Sequence, residues 1–171
     1  AAKDTLFGTN FLFNRDGGWT TEAISKPYQE FINEAMVPTL RYPGGTMTES
    51  WFDMANPNAT AMLLGKKLSV PLTDFLSYTG KIGATATIVV PTYKLFADSL
   101  DSSGNRAIDP ASEAIVRQFV QFALSEADRL GTKIAAFELG NEWYVDNTQA
   151  FGFRMSPVDY GRVANFLARV I

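Results

Sequence analysis

Cysteine and histidine are both absent from this sequence of 171 residues. Without cysteine there is no disulfide, no thiolate zinc site and no cysteine nucleophile. Without histidine there is no Ser-His triad and no histidine-ligated metal. Any ionisable catalyst must therefore be Asp, Glu, Lys, Arg or Tyr. Charge of one sign is lacking too: 15 basic residues against 18 acidic ones leave a net charge of -3, spread along the chain. No basic stripe offers itself to nucleic acid, and no Lys/Arg block to an anionic membrane. No stretch reaches the roughly 18 uninterrupted apolar residues of a membrane span. Glycine (13) and proline (8) are too few for a linker or a collagen-like repeat. What remains is ample for a core. Hydrophobic residues make up 46% and aromatics 13%, as in one ordinary folded domain.

The ends carry expectations of their own. Ala1-Ala2-Lys3-Asp4 is not a signal peptide. It reads as the mature side of a signal cleavage or as a cut end, which favours an extracellular or periplasmic location. Arg169-Val170-Ile171 stops inside a helical pattern without a cap, and so suggests a fragment.

Hydrophobic periodicity orders the chain as strand, helix, four times over. Leu6 to Phe13 reads as a buried strand. Ser25 and Pro27 open a helix whose Tyr28, Phe31, Ile32 and Ala35 share one face. Val37 to Arg41 is the second strand, ended by Pro43-Gly44-Gly45, and residues 46–70 read as an irregular excursion with one short helix. Leu72 to Tyr78 is a helix, Ala84 to Val90 the third strand, and Asp98 to Asp109 a polar loop. The longest helix runs from about Pro110 to Leu130 and is stopped by Gly131. Lys133 to Leu139 is the fourth strand, and Ser156-Pro157-Val158-Asp159 caps a final helix.

Repeated βα units imply an α/β fold with a mostly parallel sheet. Two architectures fit: a doubly wound open sheet, or the first four units of a (β/α)8 barrel. The glycine-rich phosphate loop of many doubly wound proteins is missing after the first strand, where Asn14-Arg15-Asp16-Gly17-Gly18 stands instead. A whole barrel needs about 250 residues. The half-barrel, with residues 1–171 as the N-terminal half of a catalytic domain, is the expected fold.

The polar clusters fall at the C-terminal ends of the proposed strands, the edge where such folds place active sites. They are Asn10 and Asn14, Arg41 with Gly44 and Gly45, Tyr93, and Glu138, Asn141 and Glu142. Glu142 follows an apolar strand and is bracketed by Trp143 and Tyr144. Partial desolvation by those rings would raise its pKa and suit it to general acid catalysis, while the rings themselves suit the C-H faces of sugars. A solvated loop glutamate is the plainer alternative. By strand parity Glu138 lies on the same face as Glu142, about four residues deeper, and needs a cation, for which Arg41 is the natural candidate unless both pair elsewhere in a polar layer of the barrel. Trp19 and Trp51 are candidates to wall a sugar cleft or simply to pack. Asn58-Ala59-Thr60 matches a glycosylation sequon, and Asp98, Asp101, Asn105 and Asp109 lack calcium-loop spacing. No metal site is expected.

Leu40-Arg41-Tyr42-Pro43-Gly44-Gly45-Thr46 and Phe137-Glu138-Leu139-Gly140-Asn141-Glu142 together resemble the retaining glycoside hydrolases of clan A. The nearer likeness is to the heparanase and β-glucuronidase group, with the α-L-arabinofuranosidase and β-xylosidase groups beside it. The resemblance implies that Glu142 is the acid/base, that Asn141 hydrogen-bonds the sugar 2-hydroxyl, and that Arg41 orients the catalytic carboxylates. Asn10, Asn14, Trp51 and Tyr93 are placed only as cleft residues. It also implies a carbohydrate substrate, no cofactor, and a nucleophile glutamate at the end of strand seven, beyond residue 171. Retaining hydrolysis needs two carboxylates roughly 5 Å apart, so this chain alone is expected to be inactive and to need the missing half-barrel or a second copy of itself. The rival reading is a non-catalytic carbohydrate-binding or structural remnant of the hydrolase fold. A small nucleotide-binding domain would need an anion-binding glycine loop that is not found.

Overall fold

The computed structural model describes residues 8–11, 24–45, 47–59, 62–63, 66–67, 70–146 and 148–171. Its centre is a four-stranded parallel sheet of β1 (Thr9–Asn10), β2 (Thr39–Tyr42), β5 (Thr85–Val90) and β8 (Lys133–Leu139), side by side in that order. The order never reverses, so these strands have no topological switch point of the doubly wound kind. Between them run α1 (Lys26–Ala35), α3 (Leu72–Lys81) and α4 (Ser112–Arg129), and α6 (Pro157–Val170) follows β8. The short α2 (Met47–Ser50), the pair β3 (Met62–Leu63) and β4 (Lys66–Lys67), and α5 (Thr148–Phe151) lie in the connections.

Strand alternation decides which face the helices cover. Leu40, Tyr42, Ala86, Ile88 and Val90 are buried among Phe75 and Leu76 of α3, Phe119 and Ala123 of α4, and Val163 and Leu167 of α6. Thr39, Arg41, Thr85 and Thr87 point the other way and are half-buried, with Thr39 and Thr85 sharing a 3.0 Å hydroxyl hydrogen bond. The alternation slips once: Ala86 is opposite Ile134 but Thr87 is opposite Ala136, so Ala135 is an extra residue bulged out of β8.

Helix ends follow the sequence closely. Ser156 and Asp159 form a reciprocal capping box at α6, and Gly131, at φ 67°, ends the turn after α4. Two expectations fail. On α1 only Ile32 is buried, while Phe31 is 53% exposed and Ala35 is also outside. The polar stretch expected as a loop over Asp98 to Asp109 is instead an antiparallel hairpin of β6 (Phe96–Leu100) and β7 (Arg106–Ile108). Asp101 organises its turn, accepting from the amides of Ser103 and Asn105 and pairing with Arg162 at 2.7 Å. Those bonds supply the order that polarity alone hides. The expected strand residues Leu6, Phe7, Leu12 and Phe13 lie outside the described residues.

Candidate functional site

At the C-terminal edge of the sheet, register brings distant residues together. Arg41 on β2 is level with Thr87 of β5, and Glu138 on β8 is level with Val89. The arginine therefore reaches across the short Thr87 side chain of the strand between them. Its Nε donates to Glu138 Oε2 at 2.6 Å and its Nη2 to Oε1 at 2.7 Å, a bidentate charged pair. Arg41 Nη1 also donates to Asn10 Oδ1 at 3.0 Å, and Nη2 to Asn141 Oδ1 at 3.1 Å. One guanidinium thus joins strands β1, β2 and β8. Gly8, Thr9, Asn10, Thr39, Arg41, Thr87 and Glu138 line a concavity of about 340 Å³ on the open face of the sheet.

Asn141 is only 6% exposed. Arginine carries no acceptor, so the side-chain oxygen must face Arg41 and the amide nitrogen must point elsewhere. That Nδ2 is buried and, among the described residues, has no hydrogen-bond partner. A donor left so costs about 1–3 kcal/mol unless something outside the protein accepts from it.

The strand ends at Leu139, and the backbone then departs from β geometry at Gly140 (φ 76°) and Glu142 (φ 45°). The parity expected to place Glu138 and Glu142 on one face is lost at these two residues. It is Asn141, of the opposite parity, that meets Arg41 beside Glu138. Glu142 itself is exposed. The aromatics expected to desolvate it turn elsewhere: Trp143 stacks on Tyr160 at 4.6 Å and 10°, and Tyr144 is 57% exposed. Among the described residues no side chain bonds the Glu142 carboxyl.

Tyr93, expected in the cleft, is 2% exposed. Its hydroxyl lies 3.0 Å from the carbonyl of Trp143 and 3.3 Å from that of Val145, and it accepts from the amide of Met155 at 3.2 Å. Its ring stacks on Phe151. It is a post for the loop after β8, and burial removes it from any cleft. Trp51 is 45% exposed just past α2, with no ring contact among the described residues. Gly44 donates its amide to Phe11, tying the turn to the end of β1, and Gly45 stands at φ 70°, where a side chain would be strained. Asn14 and Trp19 lie outside the described residues. No three Asp or Glu carboxylates gather as a metal site would require among the described residues. Asp101 is spent on its turn and on Arg162, and Asp109 caps the amide of Ala111. In the sequon, the Asn58 amide is engaged with Thr73 at the start of α3.

Sequence reasoning missed Glu49. It sits on α2, directly after the Pro-Gly-Gly turn, and is 1% exposed. Its carboxyl accepts from the amides of Thr92 (2.7 Å), Tyr93 (3.0 Å) and Asn141 (2.9 Å), and from the Thr92 hydroxyl (3.2 Å). Burial pushes its pKa up, and these hydrogen bonds, led by that from Tyr93, offset part of the rise. The only sequence signal was position, a carboxylate just beyond the end of the second strand.

No protein-family model and no curated protein matches the chain. Among solved structures it is similar to AbfB, a family 51 α-L-arabinofuranosidase from Bifidobacterium longum, with a TM-score of 0.57 and 15% identity. The match covers 95% of this chain and 35% of that one, so the chain spans about a third of the enzyme it resembles. At that identity the likeness is one of fold, and it does not reach the heparanase and β-glucuronidase grouping. The chain has a mixed α/β, glycoside-hydrolase-like fold.

Proposed function

We propose that the chain is the acid/base-bearing part of a retaining glycoside hydrolase, the first four βα units of its barrel. The observation that carries this reading is the buried amide nitrogen of Asn141, without a partner among the described residues, at the strand edge beside Glu142. A sugar hydroxyl would satisfy that donor. The parallel sheet with its polar C-terminal edge and the fold likeness to an arabinofuranosidase support the same reading.

In the proposed reaction the substrate lies over the open face, with a ring hydroxyl accepting from Asn141 Nδ2. Glu142 in its acid form gives a proton to the glycosidic oxygen as the bond to the anomeric carbon breaks. A second carboxylate takes that carbon, and ionised Glu142 then draws a proton from the water that releases the sugar. The chemistry needs no cofactor. Glu138 does not serve as the nucleophile, because both its oxygens are held by Arg41. The second carboxylate comes from residues beyond 171 or from a second copy, and the exposed Ala135 and Ala136 of β8 belong to the strand edge that would receive them. A secreted location suits the polymeric substrates of such enzymes.

The test pairs binding with turnover. Titrating the ¹⁵N-labelled chain with arabinose, xylose and glucuronic acid should shift the Asn141 side-chain amide resonances, and Asn141→Ala should abolish the response. The same chain should leave chromogenic glycosides intact. Robust hydrolysis that Glu142→Gln abolishes would overturn the incomplete carboxylate pair. Saturating sugar without any response at Asn141 would overturn the site.

A further inference from the structure

We propose that Glu49 is the positioning residue of this site, fixing through its buried carboxyl the peptide that aims Asn141 and Glu142. The assignment rests on the sugar-binding reading of Asn141 given above. It goes beyond that reading by naming a group that touches no substrate and yet sets the geometry.

Three chain segments meet at this one carboxyl. Glu49 belongs to α2, which the Gly44-Gly45 turn swings inward, and the Thr48 hydroxyl donates to the carbonyl of Pro43 at 2.6 Å to hold that turn. Oε2 takes the amides of Thr92 and Tyr93, the first residues after β5 and Pro91. Oε1 takes the amide of Asn141 and the Thr92 hydroxyl. Four donors on one carboxyl, at 1% exposure, leave it no capacity for a ligand and no room to turn.

What it holds is the segment that most needs holding. Asn141 lies between two residues in the left-handed region, Gly140 and Glu142, and for glutamate that conformation costs about 1–2 kcal/mol. Such a backbone persists only where its surroundings over-determine it. Gly140 is fitted just as closely: a β-carbon there would lie 3.0 Å from Thr92 Cγ2 and 3.4 Å from Glu49 Oε1. On the side-chain end, Arg41 fixes Asn141 Oδ1. The peptide amide is fixed by Glu49 and the side-chain oxygen by Arg41, so the residue is held at both its backbone and its side chain. Lys94, whose Nζ donates to the carbonyl of Phe52 at 3.0 Å, feels the charge of Glu49, but no hydrogen bond joins them among the described residues.

The experiment compares the wild-type chain with Glu49→Gln, Glu49→Ala and a control, Thr132→Val. The control removes the buried 2.7 Å bond from Thr132 to the carbonyl of Leu76, on the segment leading into the N-terminal end of β8. Arabinose affinity and thermal unfolding are measured on each variant. In the wild type, through-hydrogen-bond coupling between the Asn141 amide nitrogen and the Glu49 carboxyl carbon is also recorded, a readout that requires no mutant to fold. The coupling should be present. Glu49→Gln, which sets an NH2 group against backbone donors, should bind sugar about tenfold more weakly, on the scale of one lost hydrogen bond. Thr132→Val should lower the melting temperature and leave affinity unchanged. Absence of the coupling overturns the assignment. So does a folded Glu49→Gln chain with wild-type affinity, or an affinity that merely follows melting temperature across all variants. A wild-type chain that binds no sugar while the coupling is present overturns the sugar reading, and the positioning role with it.

Discussion

Replacing Arg41 by methionine keeps most of the side-chain stem and removes the guanidinium on which four hydrogen bonds converge. Two of these go to Glu138 at 2.6 and 2.7 Å, one to Asn10 at 3.0 Å and one to Asn141 at 3.1 Å. The side chains are 21% exposed for Arg41 and 42% for Glu138, which sets the scale. Fully exposed pairs contribute about 0.2–1 kcal/mol, whereas breaking a buried one costs about 3–5 kcal/mol. A bidentate pair with one partner this open to water belongs between these limits, and solvent screening pulls it toward the lower. The expected coupling between Arg41 and Glu138 is about 1.5 kcal/mol, equivalent to a melting shift of about 3–6 °C for a chain of this size. The assay is a double-mutant cycle of Arg41→Met and Glu138→Gln, with unfolding in urea followed by circular dichroism. Adding salt should weaken this coupling less than that of Arg117 with Glu113, whose side chains are 56% and 55% exposed. A coupling below about 0.3 kcal/mol, the ordinary error of additivity, would refute the claim that this guanidinium ties the sheet edge together.

Glu142→Gly should stabilise the chain by up to about 1 kcal/mol in urea unfolding, because glycine relieves the left-handed strain at φ 45°. A loss of stability would contradict the strain assigned to that residue. Gly140→Ala should cost about 1–3 kcal/mol, since alanine at φ 76° would be strained and its β-carbon would press on Thr92 at 3.0 Å; a melting temperature within a degree of wild type would contradict this. Glu126 accepts from Arg129 and from Thr73, which together hold its carboxyl down to about 2. A depressed carboxylate stabilises the fold above its ordinary pKa of 4.5, so the advantage of wild type over Glu126→Gln should be full above that pH and vanish as pH falls toward 2. An advantage that stays constant from pH 6 to about 2 would exclude that linkage.

Strands β2, β5 and β8 were legible because each is a short apolar run between turn residues, and Lys133–Leu139 matches its predicted span in full, whereas the run expected over Leu6 to Phe13 is described only at residues 8–11. The capping box at Ser156 and the glycine after α4 were equally plain, since local chemistry fixes both. The hairpin at Asp98 to Asp109 was not, because its order comes from Asp101 binding its own turn and a distant Arg162. Residue type and place on the strand edge made Arg41 a candidate partner for Glu138 but left pairing elsewhere open, and it is the register across β5 that joins them. Parity misled beyond Leu139, where two left-handed residues end the strand geometry on which it depends. Glu49 stayed hidden for another reason. Its partners are backbone amides, which every sequence supplies, so only the folded chain shows which amides converge on it.

The central claim is that Asn141 and Glu142 face a sugar, and a crystal of this chain soaked with an iminosugar tests it most directly. The ligand should lie on the open face of the sheet, with a ring hydroxyl within hydrogen-bond distance of Asn141 Nδ2 and the anomeric position turned toward Glu142. A ligand lodged instead in the 400 Å³ recess lined by Arg162 and Arg169 would contradict it, as would a strand edge left empty at saturating ligand.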